Sequence, residues 1–185
     1  MKKLTILIVW ACYCLYFPAF GQTTTLGPYL HVGDKMPDMV ISNVLNAREK
    51  TIDLAKLRGK VILLDFWNTF CSSCIEGFSD LDSLQHVYPD KLKVILVNPG
   101  NGDTRKGIDI VIKRTKSWSN YGFDLPIVFP GSSVTSLFKF RGVPHTIWIG
   151  EDGTIIAITG KEDVTSKNIA LAINGSKLNL KEKQN

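Results

Sequence analysis

One stretch near the middle of the chain constrains it more than any other. Val61-Ile62-Leu63-Leu64 is a continuous apolar run, extended by Asp65-Phe66-Trp67 and followed by Asn68-Thr69-Phe70 and then Cys71-Ser72-Ser73-Cys74. Bounded by Gly59, such a run reads as a buried strand of a mostly parallel sheet. From Ser72 to Tyr88 the apolar residues recur at Ile75, Phe78, Leu81 and Leu84, the spacing of an amphipathic helix that Pro89 ends. The two cysteines therefore stand where a strand gives way to a helix. At a helix N-terminus the unpaired N–H groups and the macrodipole favour a thiolate. A second cysteine three residues on lies one turn inside, within reach of a mixed disulfide formed by the first. Cys71 is the candidate nucleophile and Cys74 the candidate resolving thiol, with Ser72 and Ser73 placed to cap the helix and to donate toward sulfur.

Other uses of the pair fit less well. A structural disulfide closing so short a loop contributes only ~2 kcal/mol in the chain-entropy estimate, against ~4.7 kcal/mol for a hundred-residue loop. Structural zinc wants four ligands. The chain offers His31, His86 and His145 beside the pair, and His86 falls about 18 Å along the same expected helix from Cys74. No metal is expected.

The N-terminus sets the compartment. Lys2 and Lys3 precede an uncharged, mostly apolar run from Leu4 to Phe20, and Ala19-Phe20-Gly21 offers the small residues of a peptidase site before Gln22. Residues 1–21 are expected to be a signal peptide. A retained membrane anchor is the alternative, at the lower length limit for a span, and a lipid-anchored form through Cys12 is a weaker one. Cleavage removes Cys12 and Cys14, so Cys71 and Cys74 would meet an oxidising compartment alone. It also lowers the net charge from +5 to +3, because Lys2 and Lys3 leave with no acidic residue. So mild a charge gives no argument for nucleic acid.

The remaining pattern supplies an order of elements. Residues 22–32 read as an irregular lead-in. Met39–Ser42 and Thr51–Asp53 flank a polar stretch as a hairpin, and Leu54–Leu57 is one helical turn closed by Gly59. Leu92–Val97 and Pro126–Phe129 are further strands, with a helix between about Thr104 and Asn120 and a short helix over Ser132–Phe138. Thr146–Ile149 and Thr154–Thr159 form a second hairpin around Glu151-Asp152-Gly153, and Lys167–Ile173 is a last helix. The basic tail, residues 176–185, is expected to fray. This order predicts an α/β domain with a mixed central sheet, helices on both faces and an N-terminal hairpin extension.

The stretch from Val61 to Cys74 resembles the active-site strand and helix start of thioredoxins, above all their exported TlpA/ResA-type thiol–disulfide oxidoreductase relatives. Gly142-Val143-Pro144-His145-Thr146-Ile147-Trp148-Ile149 resembles the family's cis-proline loop, and Gly33-Asp34-Lys35-Met36-Pro37 and Gly59-Lys60 fit the exported subgroup. The resemblance covers roughly residues 33–175. It implies a thioredoxin-like fold, a cis bond before Pro144 with that proline against the cysteine pair, and Val143 offering its backbone to an extended substrate strand. It also implies that Asp65 is a buried acid of raised pKa relaying the proton of Cys74, and that Trp67 packs beside the active site, where it serves substrate binding or the core. Three departures stand out: Phe70 replaces the usual tryptophan, no proline separates the cysteines, and Gly77 occupies a position often held by glutamate. His145 is either a solvent-facing loop residue or a group whose charge favours the thiolate.

The function implied is reduction of disulfides in exported proteins through a Cys71–Cys74 dithiol/disulfide cycle, without a cofactor, by a monomer recharged from a membrane-bound thiol donor. Oxidation of substrate dithiols is the reverse direction. Copper binding by Cys71, Cys74 and His145 is the non-enzymatic alternative, although thioredoxin-fold copper chaperones usually space their cysteines by three residues. A peroxidase is disfavoured, since Thr69 lies too close to Cys71 to match that family's threonine.

Overall fold

In the computed structural model, residues 29–100 and 102–183 are described. The expected leader and the first part of the lead-in lie outside them. The chain starts with three two-residue strands: β1 (Val40–Ile41), β2 (Val44–Leu45) and β3 (Ile52–Asp53). β1 and β3 pair antiparallel as the hairpin the sequence predicts. β2 was not expected. It leaves the hairpin between Asn43 and Asn46, both left-handed at φ 58° and 53°, and joins the main sheet.

That sheet is built from β4 (Val61–Phe66), β5 (Leu92–Val97), β6 (Ile127–Val128), β7 (His145–Ile149) and β8 (Ile155–Thr159), in the order β2-β6-β5-β4-β7-β8. β4, β5 and β6 run parallel, while β2, β7 and β8 pair antiparallel with their neighbours. The parallel pairs need helical crossovers. α1 (Ser72–Glu76) and α2 (Phe78–Val87) link β4 to β5, and α3 (Arg105–Trp118) links β5 to β6. Helix α4 (Ser166–Ile173) follows β8. Threonine side chains cap two of these helices, Thr104 accepting from the Gly107 amide and Thr165 from that of Asn168.

The single helix expected from Ser72 to Tyr88 is two helices, jointed at Gly77. The apolar spacing survives the joint because Phe78, Leu81 and Leu84 still face the core.

Alternation along the strands sorts the core into two layers. Val61, Leu63 and Trp67 pack with Cys74, Phe78, Ile108 and Ile169, so all four α-helices cover one face. Ile62, Leu64 and Phe66 pack on the other face with Met36, Ile41, Leu54, Val134 and Phe138. That second face is covered by the hairpin, by a 3-10 turn at Leu54–Leu57, where one helical turn was expected, and by another at Ser133–Leu137 in place of a short helix. One buried carboxylate braces the helical layer. Asp82, in α2, accepts from the Ser119 hydroxyl at 2.6 Å and the Phe123 amide at 3.2 Å, pinning the loop after α3.

The basic tail does not fray over its described length. Leu178 and Leu180 pack on the helical layer, and the Lys183 amide donates to the Ile158 carbonyl at 2.9 Å.

Candidate active site

The C-terminal end of β4 delivers the chain into a short loop, Asn68–Phe70, and then into α1. Asp103 holds this loop: one carboxylate oxygen accepts from the Thr69 amide at 2.9 Å and from Asn98 Nδ2 at 2.6 Å, and the other takes the Thr69 hydroxyl. The Cys71 amide closes the turn on the Asn68 carbonyl at 3.1 Å.

Cys71 and Cys74 form a disulfide. Cys71 is itself the cap of α1, its Sγ accepting from the Cys74 amide at 3.2 Å. Ser73 Oγ lies 3.6 Å from the same sulfur. These are the contacts that would stabilise a Cys71 thiolate. Cys71 is half-buried, whereas Cys74 is 3% exposed. The outer sulfur is thus the one a partner can reach. Beside it Phe70 stands 80% exposed, an apolar side chain that does not serve the core.

Beneath the pair the β4 alternation sends Asp65 toward the helical layer, together with its register partner Thr146. The carboxylate is almost wholly buried and accepts the Thr146 hydroxyl at 2.6 Å. Burial pushes its pKa up from 3.8 to about 6, against the lowering effects of that hydrogen bond and of the Lys183 charge. Asp65 and Cys74 line one cavity of about 260 Å³, whose other walls include Gly77, Lys161 and Glu162. The space suffices for water to connect carboxyl and sulfur. Lys161 also fixes α1 from outside, donating to the Ser73 carbonyl at 2.9 Å.

The Val143–Pro144 bond is cis, and both residues are half-buried. Val143 packs against both core layers, the helical one including Cys71 and Cys74. Trp67 occupies a different place from the one substrate contact would need. It is wholly buried and meets Phe78 edge-on at 5.0 Å, so its role is packing beneath the pair.

His145 is not solvent-facing. It is the first residue of β7, paired with Phe66, and the same alternation turns it to the face opposite Asp65. There it stacks on Phe140 at 5.4 Å, wholly buried, with no hydrogen-bond partner for either ring nitrogen. Burial and the Lys183 charge lower its pKa to about 4. The ring is neutral at neutral pH and supplies no positive charge to a thiolate. Thr146, Asp103 and Lys183 were not singled out from the sequence, because each reaches the site from a distant segment.

A protein-family model described as Redoxin matches residues 31–173. The chain belongs to the Redoxin family. Among curated proteins, this Redoxin chain is 27% identical over 172 residues to the thiol-disulfide oxidoreductase ResA of Geobacillus thermodenitrificans, covering 89% of this chain and 90% of that one. It is also 27% identical over 124 residues to the thioredoxin-like protein YneN of Bacillus subtilis, covering 66% and 68% of the two chains. A solved thiol:disulfide interchange protein from Bacteroides sp. superposes with a TM-score of 0.59 at 22% identity, over 80% of this chain and 93% of that one. The Redoxin domain here is thioredoxin-like and of TlpA/ResA type, with the Cys-x-x-Cys pair of a thiol–disulfide oxidoreductase.

Proposed function

We propose that this thiol–disulfide oxidoreductase works outside the cytoplasm as a reductase of disulfides in exported proteins. The observation that carries the reading is the asymmetry of the pair, an accessible Cys71 sulfur over a buried Cys74 that shares a cavity with a titratable carboxyl. In the reduced protein the Cys71 thiolate attacks one sulfur of a substrate disulfide and expels the other as a thiolate. Cys74 then loses its proton, through water, to Asp65 and attacks Cys71 of the mixed disulfide. The second substrate thiol leaves, and the Cys71–Cys74 disulfide remains. Each turnover moves two electrons to the substrate, so an external dithiol must restore the pair. A membrane-bound thiol donor is proposed for that step.

Val143 offers its backbone, and the cis Pro144 its ring, as a shelf for an extended substrate segment. Phe70 adds an exposed apolar contact beside Cys71. Export is supported by the basic, apolar and small-residue pattern of residues 1–21; cleavage before Gln22 and action as a monomer through a domain over 33–175 are part of the proposal. Among the described residues no helix is long and apolar enough to cross a membrane.

Equilibration of the protein with a thiol redox buffer tests the direction. A potential near or below about −220 mV supports a reductase with a dedicated donor, and one near about −120 mV reverses the direction to oxidation of dithiols. A pair that does not exchange at all removes the enzymatic reading, and stoichiometric copper bound by the reduced pair would replace it.

A further inference from the structure

The last described residues end at the redox site. After α4 the chain turns back, with the Ser176 amide donating to the Leu171 carbonyl, and Leu178 and Leu180 pack on the helical layer. The strap then reaches β8, where the Lys183 amide donates to the Ile158 carbonyl at 2.9 Å. From that anchor the Lys183 side chain extends to the cis-proline loop. Its Nζ donates to the Pro144 carbonyl and lies 3.4 Å from the Gly142 carbonyl. These two carbonyls flank Val143, the residue whose backbone is read here as the substrate shelf.

We propose that Lys183 is a positioning residue of the redox site, clamping the cis-proline loop from the C-terminal strap and placing its ammonium charge at the Asp65 end of β4. The inference rests on the reading of Cys71–Cys74 as the reacting pair and adds to it an element from outside the expected domain.

Two independent features support it. A lysine that bonds backbone carbonyls on both sides of Val143 fixes the loop without using the Val143 carbonyl itself. The same charge is the one that acts on both buried ionisable groups at this end of the sheet, Asp65 and His145. The other charged groups around the Asp65 cavity come from three elements: Glu76 on α1, Asp80 on α2, and Lys161 and Glu162 after β8. Lys161 is drawn toward the Ser73 carbonyl and Glu76, the latter at 3.9 Å. Lys183 is then the cation that favours the ionised form of Asp65, which is the form able to accept the Cys74 proton.

The test compares Lys183→Met and Lys183→Arg in the oxidised protein, following the Asp65 carboxyl by carbon-detected NMR across pH, and the mixed-disulfide resolution rate across the same range. Lys183→Met should move the Asp65 midpoint upward from about 6 by about half a pH unit, as expected for losing one partly solvated charge. The resolution profile should move the same way, and Lys183→Arg should restore both. A merely structural strap would lower stability without moving the midpoint. Coincident Asp65 titrations in wild type and Lys183→Met overturn the proposal. Because the NMR titration needs no turnover, it reads Lys183 even if the pair proves not to cycle.

Discussion

Asp65 and Asp82 are both almost wholly buried on the helical side of the sheet, yet their surroundings set them to different work. Asp82 receives the Ser119 hydroxyl and the Phe123 amide, and so ties two segments that would otherwise leave donors unpaired. Asp65 receives one hydroxyl, faces a cavity, and is pushed into the range where a proton comes and goes near neutrality. Burial is shared; the number of donors differs. A carboxylate whose one oxygen takes donors from two separate points of the chain becomes a brace, although its other oxygen is left unpaired among the described residues. One with a single donor beside a cavity is placed for acid–base work.

The largest effect expected from breaking this contrast is at the brace. Asp82→Ala leaves the Ser119 and Phe123 donors unpaired, and should cost about 4 kcal/mol in urea unfolding. The potential of the cysteine pair should not move with it; if it does, the two regions are coupled and the contrast fails. Asp65→Asn should do the reverse. The folded pKa of about 6 lies above the ordinary 3.8, so the folded state holds the proton more tightly. That contribution is fully present below about pH 4 and is lost as pH rises through 6. The asparagine variant should therefore gain on the order of 3 kcal/mol over wild type at pH 8 and match it at pH 4, while resolving mixed disulfides more slowly. Parallel stability curves for the two proteins would show that Asp65 does not titrate as described.

Thr146→Val sharpens the comparison by withdrawing the one donor Asp65 has. The carboxyl should titrate higher still, and stability at pH 8 should fall by about 1 kcal/mol with little change at pH 4. The smallest effect is at His145, whose folded pKa of about 4 lies below the ordinary 6.5. Its cost is absent above about pH 6.5 and grows as pH falls toward 4. His145→Phe should equal wild type at pH 8 and exceed it by about 1 kcal/mol at pH 6.

Much of this layout was legible in the chain itself. The runs Val61–Leu64 and Val94–Val97 are apolar throughout because both faces of a central strand are covered, and they sit where the sequence puts them. The cysteine pair is legible from its place between strand and helix, and the cis-proline segment through its resemblance to the thioredoxin pattern. What escaped has a common cause. The partner of Asp65 is 81 residues away, and that of the Thr69 amide is 34 residues away, so neither spacing nor periodicity announces them. β2 is two residues between left-handed asparagines, too short to alternate. His145 was misread because the strand begins at the residue after Pro144, one position earlier than expected, and in a strand that residue faces the sheet's second layer.

The short β2 strand also bears on how copies of this protein meet. It closes the β6 side of the sheet with only two residues, and the turned backbone at Asn43 and Asn46 stops it from growing. At the opposite side, β8 is occupied at its start by the Gly33 amide and the Asp34 carbonyl, both bonded to Ile155, and further along by Lys183. Long rows of free amides and carbonyls invite strands of neighbouring molecules. Here both margins are interrupted, which discourages edge-to-edge aggregation at high concentration.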